Sequence, residues 1–455
     1  MANITSASVR LPQIGDPSGW AGTDDDFVSG YLLPRYIAQV KDDVMNRTNL
    51  FQYFGDDDSG NWSGSTLNFP INVRRDNSMH YTTDGGDILT GNHPEPFRGF
   101  VDAKYLVGDM CLTDGAVAAL VGAGSEVQII NTIGNLMERF TEDFVDSVGR
   151  EMYLDGDGVI FTILSHDAGG GDGTLMTPVA NANGSLYINM DQEVELWNAA
   201  RTLKRGNFFV VDKNLTTGAV SISATRGGAA AAGVPAALAD TDVLVRRGSQ
   251  AGGGTARVML GLGQHVDNSG SHEGIDRALV PEWRAYEQAA GGLLTTKLLH
   301  DLLQGTRMNA GGGSAGKPDL FLTSPAVAVE YAELLQPTVL STPGGVALSG
   351  ATGFQFQSFD MMMTAVLDDL APLSTIWALK RDTFKFMTKK GLGMRPQHLN
   401  ESWGSSGGGT MFQADSTKLS YSGQLTLIGE FVCFACRNNG KLTGITVTPP
   451  ISGSW

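Results

Sequence analysis

The chain has 455 residues, 42% of them apolar, and a formal net charge of −16 at pH 7. This acidic balance argues against a dedicated sequence-specific DNA-binding protein, because such proteins present a positive surface to the phosphate backbone. The 59 glycines follow no fixed period, which excludes a collagen-like repeat and indicates much turn-rich connecting backbone.

Cysteine content and hydropathy indicate where the protein is made. Only Cys111, Cys433 and Cys436 occur, which excludes a disulfide framework and fits a reducing compartment. The sequence has no run of 18 apolar residues, and its first ten residues lack the apolar segment of a signal peptide. We therefore expect a cytoplasmic protein without a membrane partner.

Residues 1–60 are poor in periodicity and rich in Gly, Asp and Asn. Two interpretations of this segment stay open. It is either an extended arm that orders on a partner or a solvated coil.

Residues 61–110 predict a long β-hairpin. Alternation over 66–73 places apolar side chains on one face of its first strand, and the return runs from Phe97 to Met110. A ribbon with one apolar face cannot bury that face against itself, so we expect it to lie on a neighbouring subunit. The candidate contact residues are Leu67, Phe69, Ile71, Val73, Arg74, Arg75 and Lys104.

A long amphipathic helix is predicted over 125–153. Ser125 and Gln128 form a capping-box pair at its start, and Leu154-Asp-Gly-Asp-Gly158 ends it. About 28 helical residues span roughly 40 Å, well above the usual globular length. Its apolar stripe consists of Val127, Ile130, Ile133, Met137, Phe140, Phe144, Val148 and Met152.

The middle of the chain predicts a second helix and several short strands. Helical spacing recurs over 190–204, through Met190, Val194, Trp197, Ala200 and Leu203. Short strands are predicted at 208–212, 219–223 and 243–245.

A second block begins near residue 276 and reads as a small α/β unit. Leu294, Leu298 and Leu302 mark a helix, and Ser324-Pro325 provides the N-cap and first position of another. Strands are predicted at 319–323, 362–367 and 374–379. The tail from Ser420 to Pro449 reads mostly as strand, with a tight hairpin turn at Asn438-Asn-Gly440.

Several motifs imitate catalytic sites. Gly311–Lys317 resembles a phosphate-binding loop, but Pro318 replaces its Ser or Thr. Ser406 lies in a G-x-S-x-G pattern without the following helix that a nucleophile elbow needs. Cys433 and Cys436 have redox spacing but lie in a predicted strand, which favours buried thiols pointing to opposite faces.

Two motifs imitate metal sites. Asp155-Gly-Asp-Gly158 starts like a calcium loop, but Val159 and Ile160 stand where a ligand and a glycine belong, so a helix end is favoured. His265 and His272, with Asp267 and Glu273, could ligate a metal, yet a pair in a polar loop is usually solvated. The sequence therefore predicts no catalytic, cofactor or metal site.

The order of these elements resembles that of the HK97-fold major capsid proteins of tailed double-stranded DNA bacteriophages. The segments that carry the resemblance are Phe27–Pro34, Ser125–Asp155, Leu320–Val327, Val366–Trp377 and Phe431–Thr443. The resemblance implies an α+β fold with an N-terminal arm (1–60), an E-loop hairpin (61–110), a P-domain (111–275) with spine helix 125–153, an A-domain (276–399), and strands returning to the P-domain (400–455).

The resemblance also implies a function and partners. The protein would be non-enzymatic and would assemble in the host bacterial cytoplasm into the hexamers and pentamers of an icosahedral virion shell. A separate scaffolding protein, a portal, possibly a decoration protein, and non-specifically packaged double-stranded DNA would be its partners. Some family members form lysine–asparagine cross-links, for which Lys104 and Asn438-Asn439 supply the residue types. Two alternatives stay open: an encapsulin-like compartment, and a Gly-rich hydrolase using Ser406.

Overall fold

A computed structural model of the protein describes residues 49–57, 60, 62–72, 81–84, 86, 96–113, 142–165, 175–178, 187–214, 218–230, 238–311, 316–339, 355–358, 361–394, 413–414 and 420–447. The arm up to residue 48, the first part of the predicted spine helix (125–141), most of the tip of the ribbon and Ser406 lie outside these residues. Within the described residues, no helix combines the length and hydropathy needed to cross a membrane.

The described helices are α1 (Asn49–Phe54), α2 (142–151), α3 (Leu262–His265), α4 (Thr296–Asn309) and α5 (Pro325–Val339). The described strands are β1 (Asp56–Asp57), β2 (Trp62–Ser63), β3 (Thr66–Asn72), β4 (Pro96–Asp102), β5 (Lys104–Thr113), β6 (Val159–Ser165), β7 (Leu175–Pro178), β8 (Glu193–Trp197), β9 (Lys204–Lys213), β10 (Val220–Ser223), β11 (Val243–Arg246), β12 (Ser271–His272), β13 (Ile275–Asp276), β14 (Tyr286–Gly292), β15 (Leu320–Thr323), β16 (Gln355–Ser358), β17 (Met361–Leu367), β18 (Ile376–Leu379), β19 (Phe384–Met394), β20 (Gln413–Ala414), β21 (Ser420–Cys433) and β22 (Gly440–Ile445).

The chain divides into two compact units. The first comprises Met1–Gln52, Tyr105–Val148 and Thr388–Gly429, and in it β21 pairs with β5, β19 and β20. The second comprises Tyr53–Lys104, Gly149–Met387 and Glu430–Trp455. It contains a closed barrel, a six-stranded sheet and the three-stranded sheet β2-β3-β4.

The closed barrel is formed by strands β6 to β11 in the order β10-β7-β6-β11-β8-β9. Apolar side chains from its strands point inward and form one buried core, which includes Val194, Leu196, Val210, Val220 and Leu244. The predicted strands at 208–212, 219–223 and 243–245 are confirmed by β9, β10 and β11.

The predicted helix over 190–204 is wrong, because this segment contributes β8 and the start of β9 to the barrel. Its helical spacing is coincidental: Met190 and Leu203 are exposed in turns. Val194 and Leu196, two residues apart, are fully buried, which is the period of a strand.

The six-stranded sheet has the order β14-β22-β18-β15-β17-β16 and packs against helices. Leu299, Leu302 and Leu303 of α4 share its core with Val327 and Tyr331 of α5. The sequence-based strands and helices of this block are confirmed. Strand β22, from the segment 400–455 that was predicted to return to the 111–275 block, pairs here with β14 and β18, and the predicted domain bounds stay a prediction.

Helix α2 is the described part of the predicted spine. Phe144, Val148 and Met152 are buried, as the predicted apolar stripe requires. The chain then turns through Gly156 (φ 69°) and Gly158 (φ 74°), left-handed conformations that favour glycine. Asp157 accepts the backbone N–H of Val159 and pairs with Arg201, which confirms a helix end rather than a calcium loop.

Candidate assembly surface and a buried polar cluster

Strands β3 and β4 form the described part of the ribbon. They pair antiparallel with Leu67 opposite Val101, Phe69 opposite Gly99 and Ile71 opposite Phe97. Residues directly opposite each other share a face, so these six positions define the inner face of the ribbon. Gly99 leaves space on this face, since a Cβ there would lie 2.7 Å from both Ile71 Cδ1 and Phe69 Cε2.

The inner face is covered within the single chain. Leu67, Phe69 and Ile71 are buried, and the ring of Phe69 packs edge-on against Phe434 with centroids 5.1 Å apart. These three side chains are therefore already covered within the single chain, whereas the sequence analysis expected a neighbouring subunit to cover them. Phe434 follows β21, more than 300 residues along the chain, and alternation within one strand carries no information about so distant a partner.

The outer face of the ribbon is formed by Asn68, Pro70, Arg98 and Phe100. Arg98 donates from Nε and Nη2 to Asn68 Oδ1, at 2.9 and 2.6 Å. Phe100 is 47% exposed, and a shallow open groove of about 340 Å³ lies beside Pro70 and Arg98. An exposed aromatic ring next to a fixed guanidinium is typical of a protein-binding surface.

The other sequence-based contact residues have different positions. Val73, Arg74 and Arg75 lie outside the described residues. Lys104 is half-buried, and its charge acts on the buried carboxyl of Glu430 in the same chain. Asn439, which the resemblance implied as a cross-linking residue type, is fully buried and hydrogen-bonded, so it is not available at a surface.

A buried polar cluster lies behind the ribbon. His265 ends α3, His272 ends β12, and Glu273 occupies the turn between β12 and β13. All three side chains are buried, and His265 Nδ1 lies 2.9 Å from His272 Nε2. The sequence-based interpretation of a solvated histidine pair is therefore wrong. Asp267 is not part of the cluster, because it accepts backbone N–H groups of its own exposed loop.

Aromatic rings and a buried arginine enclose this cluster. The ring of His265 packs edge-on against Phe431 and Phe384, with centroids 4.9 and 5.9 Å apart. Arg277 donates to the backbone carbonyls of Ser269, Gln264 and His265, which fixes the loop that carries both histidines.

Burial is the largest influence on the pKa values of the three side chains in the cluster. Desolvation, together with the charge of Arg277, lowers the pKa of His265 to about 3. Desolvation also lowers the pKa of His272 and raises that of Glu273 well above its usual range. Both imidazoles are therefore neutral at physiological pH, which leaves a lone pair on one nitrogen of each ring.

Glu430 is a second buried carboxyl in this region. Its Oε1 accepts the backbone N–H of Leu260 at 2.7 Å and that of Phe431 at 3.1 Å. Burial raises the pKa of Glu430 to about 8, although both hydrogen bonds and Lys104 act in the opposite direction. The side chain is therefore mostly protonated in the folded protein at neutral pH.

The variant Glu430→Gln is expected to flatten the pH dependence of stability. Between the usual carboxyl pKa and about 8, folded Glu430 holds a proton that the unfolded chain has released, so stability falls as pH rises through this window. Relative to the variant, the wild type should lose at most about 1.4 kcal/mol per pH unit. Urea denaturation at several pH values between 6.5 and 9 measures the difference, and parallel curves would contradict it.

Cys433 and Cys436 are free, buried thiols, as predicted. They do not lie in one strand, however. Cys433 ends β21 and Cys436 begins a short 3₁₀ helix (Cys436–Asn438), so the expectation that they point to opposite faces of a strand is wrong. Residues 312–315 of the phosphate-loop-like segment, and Ser406, lie outside the described residues.

The comparisons with known proteins concern the fold. No family model and no curated protein matches the sequence. Among solved structures, the chain is similar to the capsid asymmetric unit of cyanophage A-1(L), with a TM-score of 0.50 and 11% identity, over 88% of this chain and 93% of that chain. It is also similar to the capsid of Myoviridae phage XM1, with a TM-score of 0.42 and 10% identity, over 88% and 92%. An encapsulin complex from Synechococcus elongatus PCC 7942 has a TM-score of 0.23 and 12% identity, over 37% and 56%.

Proposed function

We propose that this chain, which has the HK97-like capsid fold, is the major capsid protein of a tailed double-stranded DNA bacteriophage. The similarity to a phage capsid subunit over 88% of the chain is the observation that carries the proposal, because it covers nearly all of the sequence rather than one shared motif. The protein would act by assembly, as many copies that form hexamers and pentamers of an icosahedral shell.

The ribbon supports an assembly role through its outer face. The inner face is already buried in the subunit, whereas Phe100 and Arg98 stay accessible. We propose that these two residues, with the basic pair Arg74-Arg75 that follows β3 in the sequence, contact a second copy of the chain. Contacts repeated by symmetry sum to a stable shell even where each is weak.

Other partners belong to this proposal. Basic side chains on the barrel are paired within the chain: Arg205 with Asp242, Arg246 with Glu151, and Arg247 with Glu193. Together with the net charge of −16, this supports non-specific enclosure of DNA rather than tight binding of it. A separate scaffolding protein and a portal would direct assembly in the host cytoplasm, and the product would be the virion shell. A decoration protein would bind only the finished shell.

Electron microscopy of the expressed chain tests the proposal. Negative-stain images and size-exclusion chromatography should show capsomers or shells, alone or with a co-expressed scaffolding protein. Particles of monomer size under all these conditions, together with esterase activity that is lost in Ser406→Ala, would instead support a hydrolase.

The variant Phe100→Asp is expected to reduce assembly while the subunit stays folded. A carboxylate at this half-exposed position stays solvated in the monomer but would be desolvated and unpaired in an interface. Phe100→Tyr, which keeps the ring, is the matched control and should assemble normally. The measurement is the fraction of protein in shells, with the melting temperature recorded for each variant. If both variants assembled equally well, the outer face would not be part of the interface between subunits.

A further inference from the structure

The buried His–His–Glu cluster brings three potential metal ligands to one point. His265 Nδ1 and His272 Nε2 are 2.9 Å apart, and Glu273 Oε1 lies 3.7 Å from the first and 3.5 Å from the second. All three side chains are fully buried. The ligand-type atoms therefore converge in a region that bulk water does not reach.

Hydrogen bonds do not satisfy all the polar atoms of this cluster. One proton can join the two facing nitrogens, but Glu273 Oε1 is too far from either for a good hydrogen bond. Among the residues that the structure describes, Glu273 Oε2 and His272 Nδ1 have no hydrogen-bond partner. A cation bound here would compensate the negative charge of the Glu273 carboxylate, the form that burial otherwise disfavours.

The geometry suits a small divalent transition metal. A tetrahedral ion with bonds of about 2.0–2.1 Å places its ligand atoms roughly 3.3–3.4 Å apart, and the three observed separations bracket that value. Two imidazoles and one carboxylate form a ligand set that zinc uses, whereas calcium and magnesium prefer oxygen ligands alone.

Surrounding groups hold the three ligands in place, as the outer shells of metal sites do. The backbone N–H of Cys433 donates to Glu273 Oε1 at 2.8 Å, and Arg277 fixes the backbone on either side of His265. Glu273 has a φ of 50°, a left-handed conformation that is uncommon for a residue other than Gly, Asn or Asp. This turn directs the carboxylate into the core.

We propose that His265, His272 and Glu273 form a structural zinc site inside the subunit. The site lies beside β4 of the ribbon, where it would stabilise the contact between β4 and the end of β21. The carbonyl of Glu273 accepts the backbone N–H of Phe100 at 3.0 Å, while its carboxylate accepts that of Cys433. A metal ion here would fix the joint between β4 of the ribbon and the end of β21. Water or the nearby thiol of Cys436 would complete the coordination.

Metal analysis and thermal unfolding of the full-length protein test the site. Purified protein should contain close to one zinc ion per chain, and removal with a chelator should lower the melting temperature. Added zinc should restore it in a concentration-dependent way, since a ligand that binds only the folded state stabilises by mass action. Magnesium and calcium should have no such effect. Cobalt substitution reports the fourth ligand, because thiolate coordination adds a charge-transfer band that Cys436→Ser would abolish.

Two variants make the test specific. Glu273→Gln keeps the size of the side chain and an acceptor for Cys433 but removes the anionic ligand, so zinc affinity should fall more than about tenfold. His300→Gln, on α4 and outside the cluster, is the matched control and should bind zinc like the wild type. Absence of bound zinc, with a melting temperature that neither chelator nor added zinc changes, would overturn the proposal and leave only a hydrogen-bonded histidine pair.

Discussion

Phe69→Asp is expected to destabilise the isolated subunit enough to prevent its folding. Phe69 is buried on the inner face of the ribbon, and its ring contacts Phe434. Removal of such a ring costs about 3–5 kcal/mol, and an unpaired carboxylate in its place adds a desolvation penalty. The total is a large fraction of the usual stability of a domain. Urea denaturation of the soluble fraction, or loss of soluble expression, measures the effect.

Asn68→Asp is the matched control for this prediction. Asn68 is the preceding residue in the same strand, but it lies on the outer face and accepts two hydrogen bonds from Arg98. An aspartate can accept the same bonds and adds an exposed ion pair, so the change in stability should stay within about 0.5 kcal/mol. If Phe69→Asp folded with wild-type stability and failed only in assembly, the inner face would be an interface between subunits after all.

The ribbon shows how far a single strand pattern can be interpreted. Alternation over residues 66–73 predicted the strand and a shared face for Leu67, Phe69, Ile71 and Val73. The strand and the shared face of the first three are confirmed, and Val73 lies outside the described residues. The pattern says that one face is covered, not what covers it. Phe434, which packs on Phe69, comes from a distant part of the chain, so only the tertiary fold could identify it. The inference of an intersubunit contact therefore rested on a face that the subunit itself buries.

The burial of the histidine cluster was not predicted from the sequence, for a related reason. His265, His272 and Glu273 were recognised as possible ligands, but the polar residues around them, such as Asp267 and Asn268, indicated an exposed loop. In the fold, Phe384 and Phe431 enclose His265, and neither ring is close to it in sequence. The spacing of the ligands was visible, whereas their burial was not.

The barrel was missed because its strands are short and its turns interrupt the pattern. A five-residue strand such as β8 shows only two inward side chains, Val194 and Leu196, too few to outweigh a helical spacing over 190–204. The left-handed turn at Arg201 (φ 57°) that follows β8 uses a residue without a strong turn preference, so the sequence does not mark this boundary. A longer element such as α4, with three leucines at helical spacing, was predicted correctly, although the first of them, Leu294, precedes the helix.

The Asn438-Asn-Gly440 segment was predicted as a tight hairpin turn, and that prediction is wrong. Strands β21 and β22 on either side of it join different sheets, and a 3₁₀ turn precedes Asn439. Asn439 is instead a fully buried connector. Its Oδ1 accepts the N–H of Lys380 at 2.8 Å, and its Nδ2 donates to Thr383 Oγ1 and to the carbonyl of Ala435, both at 3.1 Å.

Asn439→Ala is accordingly expected to be strongly destabilising. The variant removes the Asn439 acceptor of the part-buried N–H of Lys380, at about 1–3 kcal/mol for a group left unsatisfied, and the two hydrogen bonds that Asn439 Nδ2 donates to Thr383 and Ala435. It also leaves a cavity beside Cys433. Asn438→Ala, at the half-buried neighbouring position, is the control and should cost less than about 1 kcal/mol. If the denaturant midpoints shifted equally for both variants, the two asparagines would stabilise the protein only through the conformation of the turn, as the hairpin interpretation supposed. A large shift confined to Asn439→Ala would show that one amide ties the 3₁₀ turn to the segment that follows β18.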